Sequence, residues 1–530
     1  MISTVKVNRI PDIVRLTGKD TFLAKPCGSY FEHNDIKVTF DNAQDTLSVS
    51  LTAQDTPVRF IQLRWHGEFN AEAKFLGDAV ERGYGNLEWR GLVPHRLMPW
   101  YFLASDKKET MGFGVKVRPN AFAFWMCDRQ GVTLWLDVRC GSKGVVLNGR
   151  ELQLASIVTD HTEDKDPFDF LTGFCAKMCQ DPLLPPTPIY GSNNWYYAYG
   201  NSSHEEVLQD ARILSELTQG LENRPYMVID DCWQPLALTT GAAGRPHDHG
   251  NSRFPDMARL ASEIRALGVR PGIWIRPQRT SEMFLDRRLR CDRDQNYLDI
   301  TEPEALKLIA EDVNRVTGEW GYEFLKYDFV TFDALGRFFF NPLDAIHLQN
   351  GWAWHDRTKT NAEAIKGVYK TILDNSNGAI ILGCNVVGHL AAGLVHMHRS
   401  GDDTSGHNWD RTVIMGVNTL AFRLAQHKNF FHIDADCVGI TENIDWEYNR
   451  RFLKLLALSG TPLFASIKPS ALTQDMKADL KEAFELASRQ ENTMKPLDWF
   501  ETSIPTRYLI DGKEHEFDWM LPHGFNGFSA

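Results

Sequence analysis

Alternating apolar and polar positions dominate the first third of the chain. Ile36-Lys-Val-Thr-Phe40, Thr46-Leu-Ser-Val-Ser-Leu51 and Val132-Thr-Leu-Trp-Leu-Asp-Val138 each repeat with a period near two, the period of a strand with one buried face. Asn148-Gly149 separates Val145-Val-Leu147 from Leu152-Gln-Leu154, and Asn-Gly suits both positive-φ positions of a tight hairpin turn. No convincing helical period interrupts residues 1–182, so a β-sandwich is predicted there.

A proline-rich run, Asp181-Pro-Leu-Leu-Pro-Pro-Thr-Pro188, ends this region, because proline continues neither a helix nor a sheet interior. Beyond it the rhythm changes. Apolar segments at 188–193, 225–229, 269–275, 322–327, 378–383, 393–398, 429–433 and 461–466 alternate with amphipathic stretches. Ser203-His-Glu-Glu206 and Thr301-Glu-Pro-Glu304 carry capping-box spacing for two helices. Eight strands with intervening helices predict an α/β fold, a (β/α)8 TIM barrel over 183–490. A doubly wound sheet would carry a glycine-rich phosphate turn after its first strand, and none is present. A last helix is predicted at 470–489. In 491–530, Thr506-Arg-Tyr-Leu-Ile510, Asp511-Gly512 and Glu516-Phe-Asp-Trp519 predict one hairpin, a short C-terminal β segment too small for its own core.

Length and charge narrow the function. A chain of 530 residues exceeds one ordinary core. A formal net charge of -12 argues against nucleic acid and anionic membrane as partners and suits a neutral substrate. No apolar run is long enough to span a bilayer, and Met1-Ile-Ser-Thr-Val-Lys-Val-Asn-Arg9 lacks the apolar core of a secretory leader. Nine scattered cysteines complete no zinc pattern. A reduced, cytoplasmic protein is expected.

The chemistry lies at the predicted strand ends, where active sites of such barrels form. The apolar run Tyr226-Met-Val-Ile229 stops at Asp230 and Asp231, with Trp233 just beyond. Tyr322-Glu-Phe-Leu-Lys-Tyr327 stops at Asp328. The sixth strand runs into Arg399-Ser-Gly-Asp402-Asp403, and the seventh ends at Asp434-Ala-Asp436. One aspartate after a strand is readily a helix cap or turn residue. Four strands delivering acids to one rim describe a site, because clustered unpaired carboxylates repel. Glycoside hydrolysis uses such a set: one carboxyl protonates the leaving oxygen and another attacks or activates water. Hard cations also favour carboxylates, but Lys326 and Arg399 stand among these acids, so no metal or other cofactor is expected. Lys326 shares a strand face with Asp328 and is expected to keep it ionised. His247-Asp-His249, in a glycine- and proline-flanked loop, has no third ligand at zinc spacing and is expected to be solvated.

In order along 188–466, these segments resemble the α-galactosidases of glycoside hydrolase families 27 and 36. Gly191-Ser-Asn-Asn-Trp195 is similar to their first-strand motif, and Tyr226-Met-Val-Ile-Asp-Asp-Cys-Trp233 matches the second almost letter for letter. Arg253-Phe-Pro-Asp-Met257 with Gly268-Val-Arg-Pro-Gly-Ile-Trp274, then Leu325-Lys-Tyr-Asp328, Gly401-Asp-Asp-Thr404, Asp434-Ala-Asp436 and Leu455-Leu-Ala-Leu-Ser-Gly-Thr-Pro-Leu-Phe464 follow the same series. The preceding sandwich is similar to family 36. The resemblance implies a retaining α-galactosidase with Asp328 as nucleophile and Asp402 as acid/base. It implies that Asp230 and Asp231 hold the 4- and 6-hydroxyls, and that Lys326, Cys384, Asn385, Arg399, Asp403 and Asp436 contact the sugar. Trp195 and Trp233 would supply apolar surface, and a homo-oligomer is possible in such a family.

The departures leave alternatives open. Ser192 stands where the family has tryptophan, and Gly383-Cys-Asn-Val-Val-Gly-His389 replaces a glycine-rich segment that faces the 2-substituent. An α-N-acetylgalactosaminidase therefore stays in view. Spacing from Arg399 favours Asp403 as acid/base on the family 27 pattern, whereas gapless alignment of Asp-Asp-Thr favours Asp402. Phe338-Phe-Phe340 and Trp352-Ala-Trp354 could stack an acceptor sugar, as in a transglycosylase of the raffinose-synthase kind. A purely sugar-binding module would lack a catalytic acid, and none is missing.

Overall fold

The computed structural model describes residues 1–43, 45–237, 244–349 and 351–525, and elements and partners are counted among these. The first region is built from two antiparallel sheets. One contains Ile13–Thr17, Phe60–His66, Phe122–Asp128 and Gly131–Asp137; the other contains Ile36–Ala43, Thr46–Ala53, Tyr101–Ser105, Glu109–Val115 and Leu152–Glu163. Along Thr46–Ala53 buried and half-buried residues alternate strictly, as the pleat requires. The sheets meet face to face: Trp125 of the first lies 5.8 Å from Phe102 of the second, which stacks on Phe113 at 4.7 Å.

Two expectations for this region change. Asn148 and Gly149 do adopt positive φ (51° and 77°), and Arg150 N–H donates to the Leu147 carbonyl. The arms do not pair with each other, however. Val145 bridges Val58, while Leu152–Glu163 joins Thr46–Ala53 and Glu109–Val115. A helix, Pro167–Met178, also closes the region. Asp166 caps it, Pro167 fits the first turn, and Phe168, Phe170, Leu171 and Phe174 are buried.

The second region forms one all-parallel sheet of nine strands: β1 (Tyr190–Asn193), β2 (Tyr226–Ile229), β3 (Arg270–Ile275), β4 (Phe324–Tyr327), β5 (Ile380–Gly383), β6 (Met397–Arg399), β7 (His432–Asp434), β8 (Cys437–Ile440) and β9 (Leu463–Ile467). Their order is β7-β6-β5-β4-β3-β2-β1-β9-β8. The ladder is not closed and has nine strands where eight were expected. Its edges, β7 and β8, are consecutive in sequence and separated only by Ala435 and Asp436. Asp436 has φ 72°, a conformation that no strand continues through. The sheet is curled, and Tyr226, Val228, Phe324, Leu382, Met397 and Phe464 fill its inside as one buried cluster.

Helices cover the outside. Ser203 caps His204–Leu217 by accepting from Glu206 N–H. Thr301 does not cap the later helix: Asp299 takes its hydroxyl and amide, and Pro303–Asn314 starts after Glu302. The C-terminal segment adds Met494–Pro496 to the predicted hairpin Arg507–Ile510 and Lys513–Glu516, giving three antiparallel strands. No described helix is long and apolar enough to cross a membrane.

Candidate active site

The C-terminal ends of β1 to β4 and the segment after β6 surround a cavity of about 290 Å³, at the small end of ligand pockets, which span roughly 300–1,000 Å³. Asp230, Asp231, Asp328, Asp402 and Asp403 line it, with Lys326, Arg411 and Arg82. Trp195, Trp274, Phe329, Phe338 and Phe340 supply apolar wall.

Local backbone geometry presents the acids. Asp328 N–H still donates to Ile275 of β3, but Phe329 turns left-handed (φ 61°) and its N–H donates to Asp328 Oδ1 at 2.6 Å. Trp274 Nε1–H reaches Asp328 Oδ2 at 3.4 Å. After β2, Cys232 likewise has φ 78°. Such conformations cost about 1–3 kcal/mol each and persist where surroundings enforce them. Because β2 stops at Ile229, strand alternation does not separate Asp230 from Asp231, and both line the cavity.

The two acids at β2 differ in partners. Asp230 is buried and accepts from Lys326 Nζ and from Asn193 Nδ2, each at 2.6 Å. Burial pulls Lys326 down, yet the carboxylates, Asp230 foremost, leave its pKa raised. Lys326 is thus the partner of Asp230 rather than the expected close partner of Asp328. Among the described residues no cation forms an ion pair with Asp231, and Arg276 acts on it only weakly. Desolvation and the Asp230 charge push its carboxyl up to about 7, against the Cys232 N–H that it accepts.

The acids after β6 stand among arginines. Asp402 meets Arg82 at 2.8 Å through one oxygen and Arg411 at 2.9 Å through the other, with 12% of its side chain exposed. Asp403 lies 3.2 Å from Arg399 and 3.8 Å from Arg82, with 41% exposed. Desolvation raises the Asp403 carboxyl, but Arg82 and Arg399, followed by Lys326 and Arg411, hold it below the usual carboxylate range.

Other expected contacts lie behind the wall. Arg399 is buried beneath the cavity, paired with Asp436 at 2.8 Å and Asp434 at 3.3 Å as well as Asp403. Asp436 also accepts from Thr404 N–H at 2.8 Å and from the Tyr196 hydroxyl. Burial raises the Asp436 carboxyl, against the pull of Arg399. Cys384 and Asn385 are fully buried and do not line the cavity. Asn385 is spent on Glu81 of the sandwich (2.7 Å) and on Phe332 N–H (3.2 Å). Trp233 is a core residue: its indole N–H donates to the Trp274 carbonyl and its ring packs on His247 and Trp320. His247 is not solvated but buried against Asp312 at 3.0 Å, whereas His249 is exposed; residues 241–243 of that loop lie outside the described residues. Trp352 and Trp354 are buried; Trp352 packs against Gly141 and Ser142 of the sandwich and Trp354 lies edge-on to Trp352 at 4.9 Å, so of the two aromatic runs only Phe338 and Phe340 line the cavity.

Sequence reasoning missed Arg82 and Arg411. Arg411 follows Asp410 within the segment after β6 and carried no motif of its own. Arg82 sits more than 300 residues from the acids it meets, and no local pattern in Asp78-Ala-Val-Glu-Arg-Gly-Tyr84 announces that contact.

No family model matches the chain, and no curated protein does. Solved structures do. An α-galactosidase from Thermus thermophilus, in complex with p-nitrophenyl α-D-galactopyranoside, superposes with TM-score 0.62 at 17% identity, covering 92% of this chain and 99% of its own. A family 36 α-galactosidase from Geobacillus stearothermophilus, in complex with 1-deoxygalactonojirimycin, gives 0.61 at 14% identity, covering 94% of this chain and 77% of that one. The galactosidase domain of an α-galactosidase-sucrose kinase gives 0.55 at 12% identity over 96% of this chain and 76% of its own. The chain has the fold of the family 36 α-galactosidases.

Proposed function

We propose that the protein is a retaining glycosidase that removes terminal α-galactosyl groups. The observation that carries this reading is the convergence of Asp328 and the Asp402-Asp403 pair on one small cavity beside the ion-paired Asp230. The curled sheet is read as the (β/α)8 barrel, its seventh strand split into β7 and β8. Two of the solved structures sharing the fold hold an α-galactoside or a deoxygalactonojirimycin, and the same substrate class is assigned here.

Asp328 attacks the anomeric carbon, forming a glycosyl ester as the glycosidic C–O bond breaks. A carboxyl opposite gives its proton to the leaving oxygen, then takes a proton from the water that hydrolyses the ester. Resemblance favoured Asp402 for this second role. Both Asp402 oxygens are engaged by arginines, however. Asp403 is more exposed and has its arginine contacts on one oxygen only. We therefore assign the proton transfer to Asp403. Asp230 and Asp231 are assigned to the sugar hydroxyls, and Trp195 to the ring face.

Transfer to a sugar acceptor is the second reading. It is favoured by Phe340, which is 55% exposed at the cavity rim beside Tyr84. A cytoplasmic location is proposed with it, since all nine cysteines are free.

A panel of nitrophenyl α-glycosides tests the assignment. Wild type should prefer the α-galactoside to the N-acetylgalactosaminide, the α-glucoside and the β-L-arabinoside. Asp328→Asn should lose at least about 10⁴-fold in kcat, the scale for removing a nucleophile. Near wild-type turnover in Asp328→Asn would overturn the nucleophile, and preference for another glycoside would overturn the substrate.

A further inference from the structure

The acid-bearing segment after β6 is stitched to the sandwich. Gly83 N–H donates to the Ser400 carbonyl at 2.7 Å, and Asp402 N–H donates to the Gly83 carbonyl at 2.8 Å. Close approach needs glycine on both sides. A Cβ on Gly83 would lie 2.8 Å from Thr419 Cγ2, and one on Gly401 would lie 2.2 Å from the Met415 carbonyl oxygen. Glu81, one residue before Arg82, is buried and accepts from Asn385 at 2.7 Å and from Phe339 N–H at 3.1 Å. Arg82 is thereby held from both sides, with only 7% of its side chain exposed. Its guanidinium sits 5.3 Å over the Phe338 ring, which limits competing water.

We infer that Arg82, delivered from the sandwich, is a positioning residue for proton transfer: with Arg411 it engages both oxygens of Asp402 and leaves Asp403 to exchange the proton. The inference rests on the proposed glycosidase reaction. Charge-assisted guanidinium–carboxylate bonds fix orientation. With Arg411 on its other oxygen, Asp402 is held by a guanidinium from each side. Arg82 reaches Asp403 only at 3.8 Å, close enough to stabilise the carboxylate formed when the proton leaves. The other groups facing Asp403 are Arg399 from its own segment, Lys326 from β4, Arg411 from Trp409–Thr412, Tyr196 from Trp195–Ala198 and Asp436 after β7. The sandwich is then part of the active site rather than an appendage.

The test uses the full chain carrying Arg82→Met or Arg82→Lys, assayed on aryl α-galactosides with good and poor leaving groups across pH. A proton-transfer defect hurts poor leaving groups most. On the acid-side plateau, where the donor is protonated in both proteins, Arg82→Met should lose about 30- to 100-fold in kcat/KM on an alkyl or phenyl galactoside and only a few-fold on a dinitrophenyl galactoside. The alkaline limb of its kcat/KM profile should move to higher pH, because one cation no longer holds the Asp403 carboxyl down. Arg82→Lys should recover most of the loss and keep the melting temperature. Azide should restore turnover to Asp403→Ala, yielding α-galactosyl azide, and not to Asp402→Ala. Equal losses on both leaving groups with an unmoved pH profile in a folded Arg82→Met, or azide rescue of Asp402→Ala alone, would overturn the inference while leaving the glycosidase intact. Absence of wild-type turnover on every α-galactoside would overturn the reaction first, and this inference with it.

Discussion

The molecule holds two pairs of adjacent aspartates around one cavity and treats them in opposite ways. At β2, one lysine serves the pair. Lys326 takes Asp230, and Asp231 is pushed up to about 7. After β6, three arginines serve the pair, and Asp403 is held below the usual carboxylate range. Both pairs line the same cavity, so burial alone does not explain the difference. The supply of cations does: an opposite charge within a few ångströms outweighs desolvation. A half-buried carboxyl with no ion-pair partner prefers to keep its proton and suits hydroxyl recognition. One set among cations rests as the carboxylate, the form that takes a proton from the attacking water.

Removing a cation should break this comparison most visibly. Lys326→Met leaves Asp230 buried and unpaired and should destabilise the protein by about 3–5 kcal/mol at pH 7. Chemical denaturation measures it, and an unchanged stability would contradict the pairing.

Asp231→Asn should sharpen the comparison in the other direction. A carboxyl titrating near 7 in the fold and near 4 when unfolded costs nothing below pH 4 and its full ionisation penalty above pH 7. The variant should gain on the order of 2–4 kcal/mol of stability at pH 8 and nothing at pH 4, while losing discrimination for galactose. A variant less stable at pH 8 than wild type would show Asp231 to be compensated after all.

At the second pair the effect appears in kinetics. The donor must be protonated, and the Asp403 carboxyl is held down, so kcat/KM should already fall on the acid side of neutrality as pH rises. An alkaline limb above pH 8 would contradict the arginine effect. The smallest expected change is at the rim. Phe340→Ala should raise KM for a galacto-oligosaccharide by about 2- to 10-fold, the worth of one aromatic contact, and leave a nitrophenyl galactoside nearly unaffected. Equal effects on both would remove Phe340 from the leaving-group side.

Periodicity and turn chemistry made the elements legible. Alternation in Thr46–Ala53 and the apolar runs ending at Asp230 and Asp328 lie where local rules operate. Legibility failed where long-range packing overrides a local signal. Asn148-Gly149 forms its turn, but its arms pair elsewhere. Trp233 reads as a sugar platform beside two acids, yet β2 delivers it into the core. Of the candidate site, strand-end carboxylates were readable because unpaired acids have no other place in an apolar run. Their counter-charges were not, because Arg82 arrives from a separate sheet system and meets Asp402 across 320 residues (402 − 82) of chain.

Double displacement through Asp328 is the central claim, and an intermediate trap tests it most directly. The protein would be incubated with a 2-deoxy-2-fluoro-α-galactosyl substrate bearing an activated leaving group, digested and analysed by mass spectrometry. The account predicts one fluorosugar adduct, on the peptide carrying Asp328. An adduct on Asp402 or Asp403, or turnover to β-galactose without any adduct, would contradict it.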